Sequence, residues 1–182
     1  VPRVLTVGRI GPNKRLEDAI RALAVLRDVS ASEATLDIVG SAEGFERYRQ
    51  SLDHFARALG VSDAVTFHGR VTDSERNTLY ADAGAYLCMS EHEGFCAPLI
   101  EALSEGLPVV ARGAGAVPET LGGAGLVVPN GDAAVAAEAL DLVLTDFGVR
   151  AGLHGQSVRR LRELAPEQIE ARLISALAPL VG

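Results

Sequence analysis

Short runs of apolar, β-branched residues alternate along this chain with stretches whose apolar positions recur every three to four residues. Arg3–Gly8 (R-V-L-T-V-G), Ala34–Gly40 (A-T-L-D-I-V-G), Ala64–His68, Gly84–Met89 (G-A-Y-L-C-M), Leu107–Ala111 and Gly125–Val128 predict strands. Leu16–Val29 predicts a helix with Leu16, Ile20, Leu23, Ala24 and Leu26 near one face, and Glu43–Leu59 a second, stopped by Gly60. A third helix opens near Asp73, which reads as its N-cap, and a fourth spans Pro98–Glu105 with Pro98 at its first position. From Asp132 onward the pattern is helical to the end, with breaks at Gly148, Gly155 and Pro166.

Strand–helix alternation of this kind implies parallel strands joined by right-handed crossovers, with helices on both faces. The near-continuous apolar character of the strands fits burial on both sides. The expected fold class is therefore α/β: a doubly wound, Rossmann-like parallel sheet. Ligands of such sheets bind at the carboxyl ends of the strands, which directs attention to loops 8–15, 40–43, 69–73, 90–97 and 111–118. No internal repeat, low-complexity segment or linker divides the 182 residues, so 1–182 reads as one domain. The terminal helix, within residues 166–182, is the element expected to pack toward another part of a longer protein.

Composition narrows the function. Apolar residues make up 48% and charged residues 23%, an ordinary globular balance. Asp and Glu number 24 against 17 Lys and Arg, giving a formal charge of −7, which argues against a general nucleic-acid or anionic-membrane surface. Cys88 and Cys96 are the two cysteines, and without a signal peptide they suggest a reducing compartment, hence the cytoplasm. No apolar stretch approaches the ~18–20 residues of a membrane span. The one methionine is Met89, so the chain does not start at an initiator residue. Removal of an initiator or tag would explain this; so would excision of a domain from a longer protein, which is the expectation adopted.

Two loops carry candidate chemistry. Gly8–Arg15 (G-R-I-G-P-N-K-R) runs from a strand into a helix, where backbone amides and the helix dipole favour an anion. It lacks both the Gly-Lys-Ser/Thr ending of a phosphate loop and the G-x-G-x-x-G fingerprint. Arg9 and Lys14 remain, readable as solvated loop charges or as two cations meeting a diphosphate. Ser90–Leu103 (S-E-H-E-G-F-C-A-P-L-I-E-A-L) turns from a strand directly into a helix, and the amides of Leu99 and Ile100 are expected to lack partners within it. Glu93 precedes this helix start and Glu101 lies about one turn inside. Carboxylates only accept hydrogen bonds, so the pair suits a ligand with hydroxyls on both sides of a phosphate, as a nucleotide sugar has.

The run E-G-F-C-A-P-L-I-E-A-L-S-E-G-L-P-V-V-A resembles the Glu–seven residues–Glu signature of retaining glycosyltransferases of family 4, whose fold is called GT-B. The likeness covers nearly the whole chain. V-G-R-I-G-P-N-K-R-L-E-D-A-I, L-D-I-V-G, V-T-F-H-G-R-V and G-A-G-A-V-P-E-T each resemble a segment of that family's C-terminal, donor-binding domain. Cys96 departs from the commoner Gly, a change that leaves the residue's amide available.

The resemblance implies roles by position. Arg9 and Lys14, beside Gly8, match cations that grip the donor diphosphate without a divalent metal or other cofactor. Glu93 matches the carboxylate on the transferred sugar, and Glu101 the one on the ribose. The amides of Phe95, Cys96 and Ala97 would lie against the sugar or phosphate, with Gly94 allowing close approach. Gly69, Arg70 and Val71 would lie beside the base, and Glu119 in a loop near the donor. The implied partners are a nucleotide sugar and an acceptor-binding domain preceding residue 1; any contact with the inner face of a membrane would run through that domain. Glu93, Arg9 and Lys14 are the residues expected to carry catalysis, and the domain alone is expected to be inactive.

Other readings stay open. A nucleotide-sugar epimerase of similar fold would leave labelled sugar free after reaction, and a non-catalytic regulatory module would bind no nucleoside diphosphate. His92-Glu93 lacks the second His of a zinc-protease helix, and Cys88 and Cys96 have no His cluster, so packing is their default reading. No G-x-S-x-G elbow occurs. His68 reads as a half-buried loop histidine, and Asp37 as a strand carboxylate paired with a neighbour.

Overall fold

The computed structural model describes residues 1–30 and 32–178. Six strands, β1 (Arg3–Val7), β2 (Thr35–Val39), β3 (Val65–Gly69), β4 (Ala85–Cys88), β5 (Val109–Arg112) and β6 (Leu126–Val128), form one parallel sheet in the order β3-β2-β1-β4-β5-β6. From β1 the chain steps outward through β2 to β3, then returns across the sheet to β4 and steps outward the other way. The loops leaving β1 and β4 therefore part to opposite sides, and a crevice opens between them.

The helices are α1 (Leu16–Val29), α2 (Glu46–Ala58), α3 (Asp73–Asp82), α4 (Ala97–Ser104), α5 (Val117–Leu121), α6 (Ala133–Thr145), α7 (Phe147–Glu163) and α8 (Pro166–Leu177). They cover both faces because successive strand residues point to opposite sides. Val4, Ala85, Leu87 and Val110 pack with Leu23 of α1, Leu52 of α2 and Leu140 of α6. Leu5, Tyr86, Cys88 and Val109 pack with Tyr80 of α3, Leu99 of α4 and Leu121 of α5. Neither layer has slack: Leu23 and Leu140 are fully buried, and truncating either to Ala costs about 2–5 kcal/mol.

Several local expectations are corrected. The N-cap of α3 is Thr72, not Asp73: its hydroxyl accepts from the Glu75 amide at 3.3 Å while the Glu75 carboxylate accepts from the Thr72 amide at 2.8 Å. Ala97, not Pro98, is the first residue of α4. Gly148 and Gly155 do not break the C-terminal helices; both lie inside α7, and the boundary falls at Asp146, whose carboxylate caps the Val149 amide at 2.9 Å. The five-residue α5 was not foreseen, since it is too short to show a period. The terminal helix opens at Pro166 as expected, and its apolar residues Ile169, Leu173, Ile174 and Leu177 are exposed. The remainder of the predicted 166–182 element, residues 179–182, lies outside the described residues. Among the described residues no helix is long and apolar enough to cross a membrane.

Candidate functional site

The loop after β1 is shaped by its neighbours. Gly8 donates to the Val39 carbonyl at 2.9 Å and Ile10 to the Ser41 carbonyl at 2.8 Å, while the Ile10 side chain is buried as an anchor. A Cβ on Gly40 would stand 1.9 Å from the Gly8 carbonyl oxygen, so only glycine lets the loops after β1 and β2 approach this closely. Pro12–Lys14 then forms one 3-10 turn before α1.

That turn aims Lys14 into the crevice. Its Nζ lies 2.6 Å from Oε1 of Glu93, and the two side chains are only 21% and 10% exposed. A second tie joins the loops, because the Glu91 amide donates to the Asn13 carbonyl at 3.0 Å. Arg15 belongs elsewhere, bonded to Asp18 and Glu17 on α1. Arg9 is exposed, with its guanidinium 5.2 Å from the Phe45 ring centroid, and among the described residues it makes no ion pair. The two predicted cations thus stand in different settings: Lys14 is held by a carboxylate, Arg9 by an aromatic face.

The loop after β4 is buttressed from the far side. The Ala116 amide donates to the Glu93 carbonyl at 3.0 Å, and Thr120 Oγ1 donates to the Phe95 carbonyl at 2.9 Å. A Cβ on Gly115 would meet the Glu93 carbonyl oxygen at 2.2 Å. Gly94 has open space beside it, and the Phe95 side chain points outward, 58% exposed. Cys96 caps α4 in the left-handed region at φ 54°. The Leu99 amide, expected free, instead donates to the Cys96 carbonyl at 2.9 Å. Pro98 has no N–H, so the unpaired donors at this helix start shift upstream to Phe95, Cys96 and Ala97, whose amides make no hydrogen bond among the described residues.

Glu101 sits one turn along α4 and is held by α3: Tyr80 donates its hydroxyl to Oε2 at 3.0 Å, and Arg76 Nε lies 3.8 Å away. Burial, and then the Glu101 charge, push the Tyr80 hydroxyl well above its ordinary pKa, so it stays a donor. Further along the edge, Gly69 adopts φ +69° and accepts the Gly40 amide, Arg70 is exposed with Glu43 at 3.6 Å, and Val71 is half-buried. His68 and Val71 line a cavity of ≈ 270 Å³ there. His68 is bonded to the buried Asp37 at 2.6 Å, which also holds Arg3; Asp37 is paired as expected, while His68 is half-buried as expected but belongs to β3 rather than to a loop. Glu119 lies in α5, where its carbonyl accepts from Arg160 at 2.7 Å.

Beneath the Lys14–Glu93 pair lies a cavity of ≈ 10 Å³ bordered by Cys88, Ser90 and Cys96. The neighbouring Cys96 thiol pulls Cys88 down to about 7, and the same neighbour interaction with burial pushes Cys96 up, while the Cys88 thiol itself donates to the Ser90 hydroxyl at 3.6 Å. Tyr80 and Phe45 also support the site, and no motif in the sequence points to them; Asn13 and Gly115 lie within segments that carry the family resemblance. Taken together, the crevice offers a cation, a carboxylate beside it, unpaired amides at a helix start and a second carboxylate one turn on. It can receive an anion flanked by hydroxyl groups.

In an open α/β sheet a crevice of this kind at the switch point is where ligands bind. Residues 1–157 match the family described as Glycosyl transferases group 1, and the chain belongs to that family. The chain is 35% identical over 164 residues to a D-inositol 3-phosphate glycosyltransferase of Salinispora arenicola, covering 86% of this chain and 36% of the relative. It is 32% identical over 154 residues to a GDP-mannose-dependent alpha-(1-6)-phosphatidylinositol monomannoside mannosyltransferase of Mycobacterium tuberculosis, covering 80% and 39%. Among solved structures it resembles Anabaena HepE in complex with UDP and glucose, with TM-score 0.79, 25% identity, and coverage of 96% of this chain and 48% of that one. Sucrose-phosphate synthase from Thermosynechococcus elongatus is similar at TM-score 0.77 and 28% identity, covering 99% and 45%. The chain spans less than half the length of these proteins.

Proposed function

We propose that this chain binds a nucleoside-diphosphate sugar and, within a larger glycosyltransferase of family 4, transfers the sugar to an acceptor with retention of configuration. The reading rests on one observation: Lys14 and Glu93 meet at 2.6 Å beside the unpaired amides at the start of α4. Glu93 would hold hydroxyls of the sugar, and Glu101, fixed by Tyr80, those of the ribose. Arg9 and Lys14 would face the diphosphate, with the base beside Gly69, Arg70 and Val71. Cations aimed at the leaving diphosphate stabilise the charge that develops there as the glycosidic bond breaks, so this reading asks for no divalent metal in the transfer step. The activities for which the relatives are named, and the UDP and glucose bound to HepE, support a nucleotide sugar as substrate. The acceptor would be held by a second domain, and cytoplasmic sugar nucleotides would supply the donor.

The test is a thermal-shift and calorimetric screen against the diphosphates of uridine, guanosine and adenosine and their sugar conjugates. Binding raises apparent stability by mass action, and at least one diphosphate should do so. If none shifts the melting temperature or gives heat, the crevice is not a donor site. The chain alone should transfer no sugar to acceptor extracts, because catalysis needs an acceptor positioned at the anomeric carbon and water kept out. Sustained transfer would overturn that part.

A further inference from the structure

The sequence spacing of Cys88, Glu93 and Cys96 carries no metal signature, yet the fold gathers their ligand atoms to within 4.8 Å of one another. Cys88 is the last residue of β4, Cys96 caps α4, and Glu93 belongs to the loop between, pinned through its carbonyl to Ala116. All three residues line the cavity of ≈ 10 Å³, which has about the room of one water-sized sphere, too little for a sugar and enough for an ion.

We propose that Cys88, Glu93 and Cys96 form a binding site for one thiophilic divalent cation of the Zn²⁺ class, and that its occupation closes the crevice to a diphosphate. The first half stands by itself; the second rests on the donor reading above.

The donor set decides the ion. Two sulfurs and one carboxylate oxygen suit zinc and exclude magnesium or calcium, which take oxygen ligands. Metal–sulfur bonds of about 2.3 Å put tetrahedral ligand atoms roughly 3.7 Å apart. Closing the present triangle around an ion therefore asks for shifts of about 1 Å or less. Three protein ligands leave a fourth position for water. Binding is a proton exchange: each thiol gives up its proton as its sulfur takes the metal, while Glu93 offers a carboxylate oxygen. Two thiolates and a carboxylate carry one negative charge more than the ion neutralises, and Lys14, on one oxygen of the Glu93 carboxylate, supplies the balance. The ion thus locks Lys14 and Glu93 onto the metal centre. Neither is then free for a phosphate or a sugar hydroxyl.

Cys96 offers a second sign. It holds φ 54°, a left-handed conformation that disfavours a side chain relative to glycine. A residue that keeps its Cβ in such a place has a candidate use for its side chain.

The reduced chain is titrated with Co²⁺ and then Zn²⁺, with no nucleotide present. One Co²⁺ should bind with a thiolate-to-cobalt charge-transfer band and the intense visible bands of tetrahedral cobalt, and Zn²⁺ should displace it with no further proton release. Cys96→Gly, which suits the φ of that position and so keeps the fold, should lose the charge-transfer band. Glu93→Gln should weaken binding by on the order of tenfold or more, the scale on which even outer partners of a metal ligand act. A cobalt complex without the thiolate band, or undiminished binding in Cys96→Gly, overturns the site. In a second arm, Zn²⁺ should weaken the affinity for UDP or GDP at least tenfold in the wild-type chain. The Cys96→Gly chain at the same Zn²⁺ concentration accounts for ion held by the phosphates. Equal loss in both chains overturns the closure of the crevice. Absence of any diphosphate binding without metal overturns the donor reading instead, and the cobalt titration still decides the ion site.

Discussion

Lys14 and Glu93 come from two different strand-to-helix loops and join across the switch-point crevice at 2.6 Å. The pair is the hinge of the functional reading, because each partner holds the other where a ligand would meet both. An ion pair this shielded from solvent loses much when one member is removed, since the survivor keeps its desolvation without its partner.

Lys14→Ala should therefore lower the melting temperature and weaken nucleoside diphosphate binding by on the order of tenfold or more, as a charge-assisted contact of about 1.5–3 kcal/mol requires. Glu93→Gln should behave differently. It frees Lys14 for the phosphate, so the bare diphosphate binds as well as or better than in wild type, while the sugar conjugate loses its advantage. Calorimetry with both ligands checks this; an unchanged diphosphate affinity in Lys14→Ala would move the diphosphate elsewhere.

Tyr80→Phe tests Glu101 from a distance. The hydroxyl is the closest donor to that carboxylate, at 3.0 Å, and its loss releases the side chain that is proposed to meet the ribose. Diphosphate and sugar conjugate should weaken alike, by roughly the three- to tenfold that one ordinary hydrogen bond is worth. Glu101→Ala should do the same more strongly. A selective loss of the sugar conjugate would contradict the assignment of Glu101 to the ribose.

Much of this architecture was legible along the chain. The apolar runs marked every strand to within two residues at either end, because a strand buried on both faces leaves a continuous signal. Leu16–Val29 was readable end to end, since its buried positions recur at helical spacing. Where signals compete, reading failed. Thr72 and Asp73 are both good caps, and only the reach of Glu75 back to Thr72 chooses between them. Gly148 and Gly155 look like breaks but cost a helix only about 1 kcal/mol each, less than the packing of α7 returns. In the site, Lys14 and Glu93 were each picked out by residue type and place. Their pairing, the Phe45 platform under Arg9 and the Tyr80 brace on Glu101 are contacts between segments far apart in sequence, which no local pattern encodes.

Arg9→Ala should leave thermal stability nearly unchanged, because the side chain is exposed and its guanidinium rests 5.2 Å from the Phe45 ring centroid with no ion pair among the described residues. It should still weaken diphosphate binding. Phe45→Leu keeps the cation but removes the aromatic face that orients it, and should lose part of the same affinity. If Phe45→Leu matched wild type, the stack would have no part in presenting Arg9.

Gly115 and Gly123 separate backbone strain from displacement of the site. Both hold positive φ, +57° and +89°, so an alanine at either suffers the left-handed cost of about 1–2 kcal/mol. Beside Gly123 a Cβ meets nothing within 4 Å, whereas at Gly115 it would stand 2.2 Å from the Glu93 carbonyl oxygen. Gly123→Ala should lower the melting temperature by a few degrees and leave ligand affinity as it was. Gly115→Ala must also push the Glu93 backbone away, breaking the bond from the Ala116 amide and swinging the carboxylate off Lys14. A shift on the order of 1 Å at such a group is enough to lose about a hundredfold in function when geometry is what the site supplies. Melting curves and calorimetry on the two variants give the comparison directly. If Gly115→Ala lost stability but bound the sugar nucleotide as wild type does, then the position of Glu93 would not matter to the ligand, and its proposed hold on the sugar would fall.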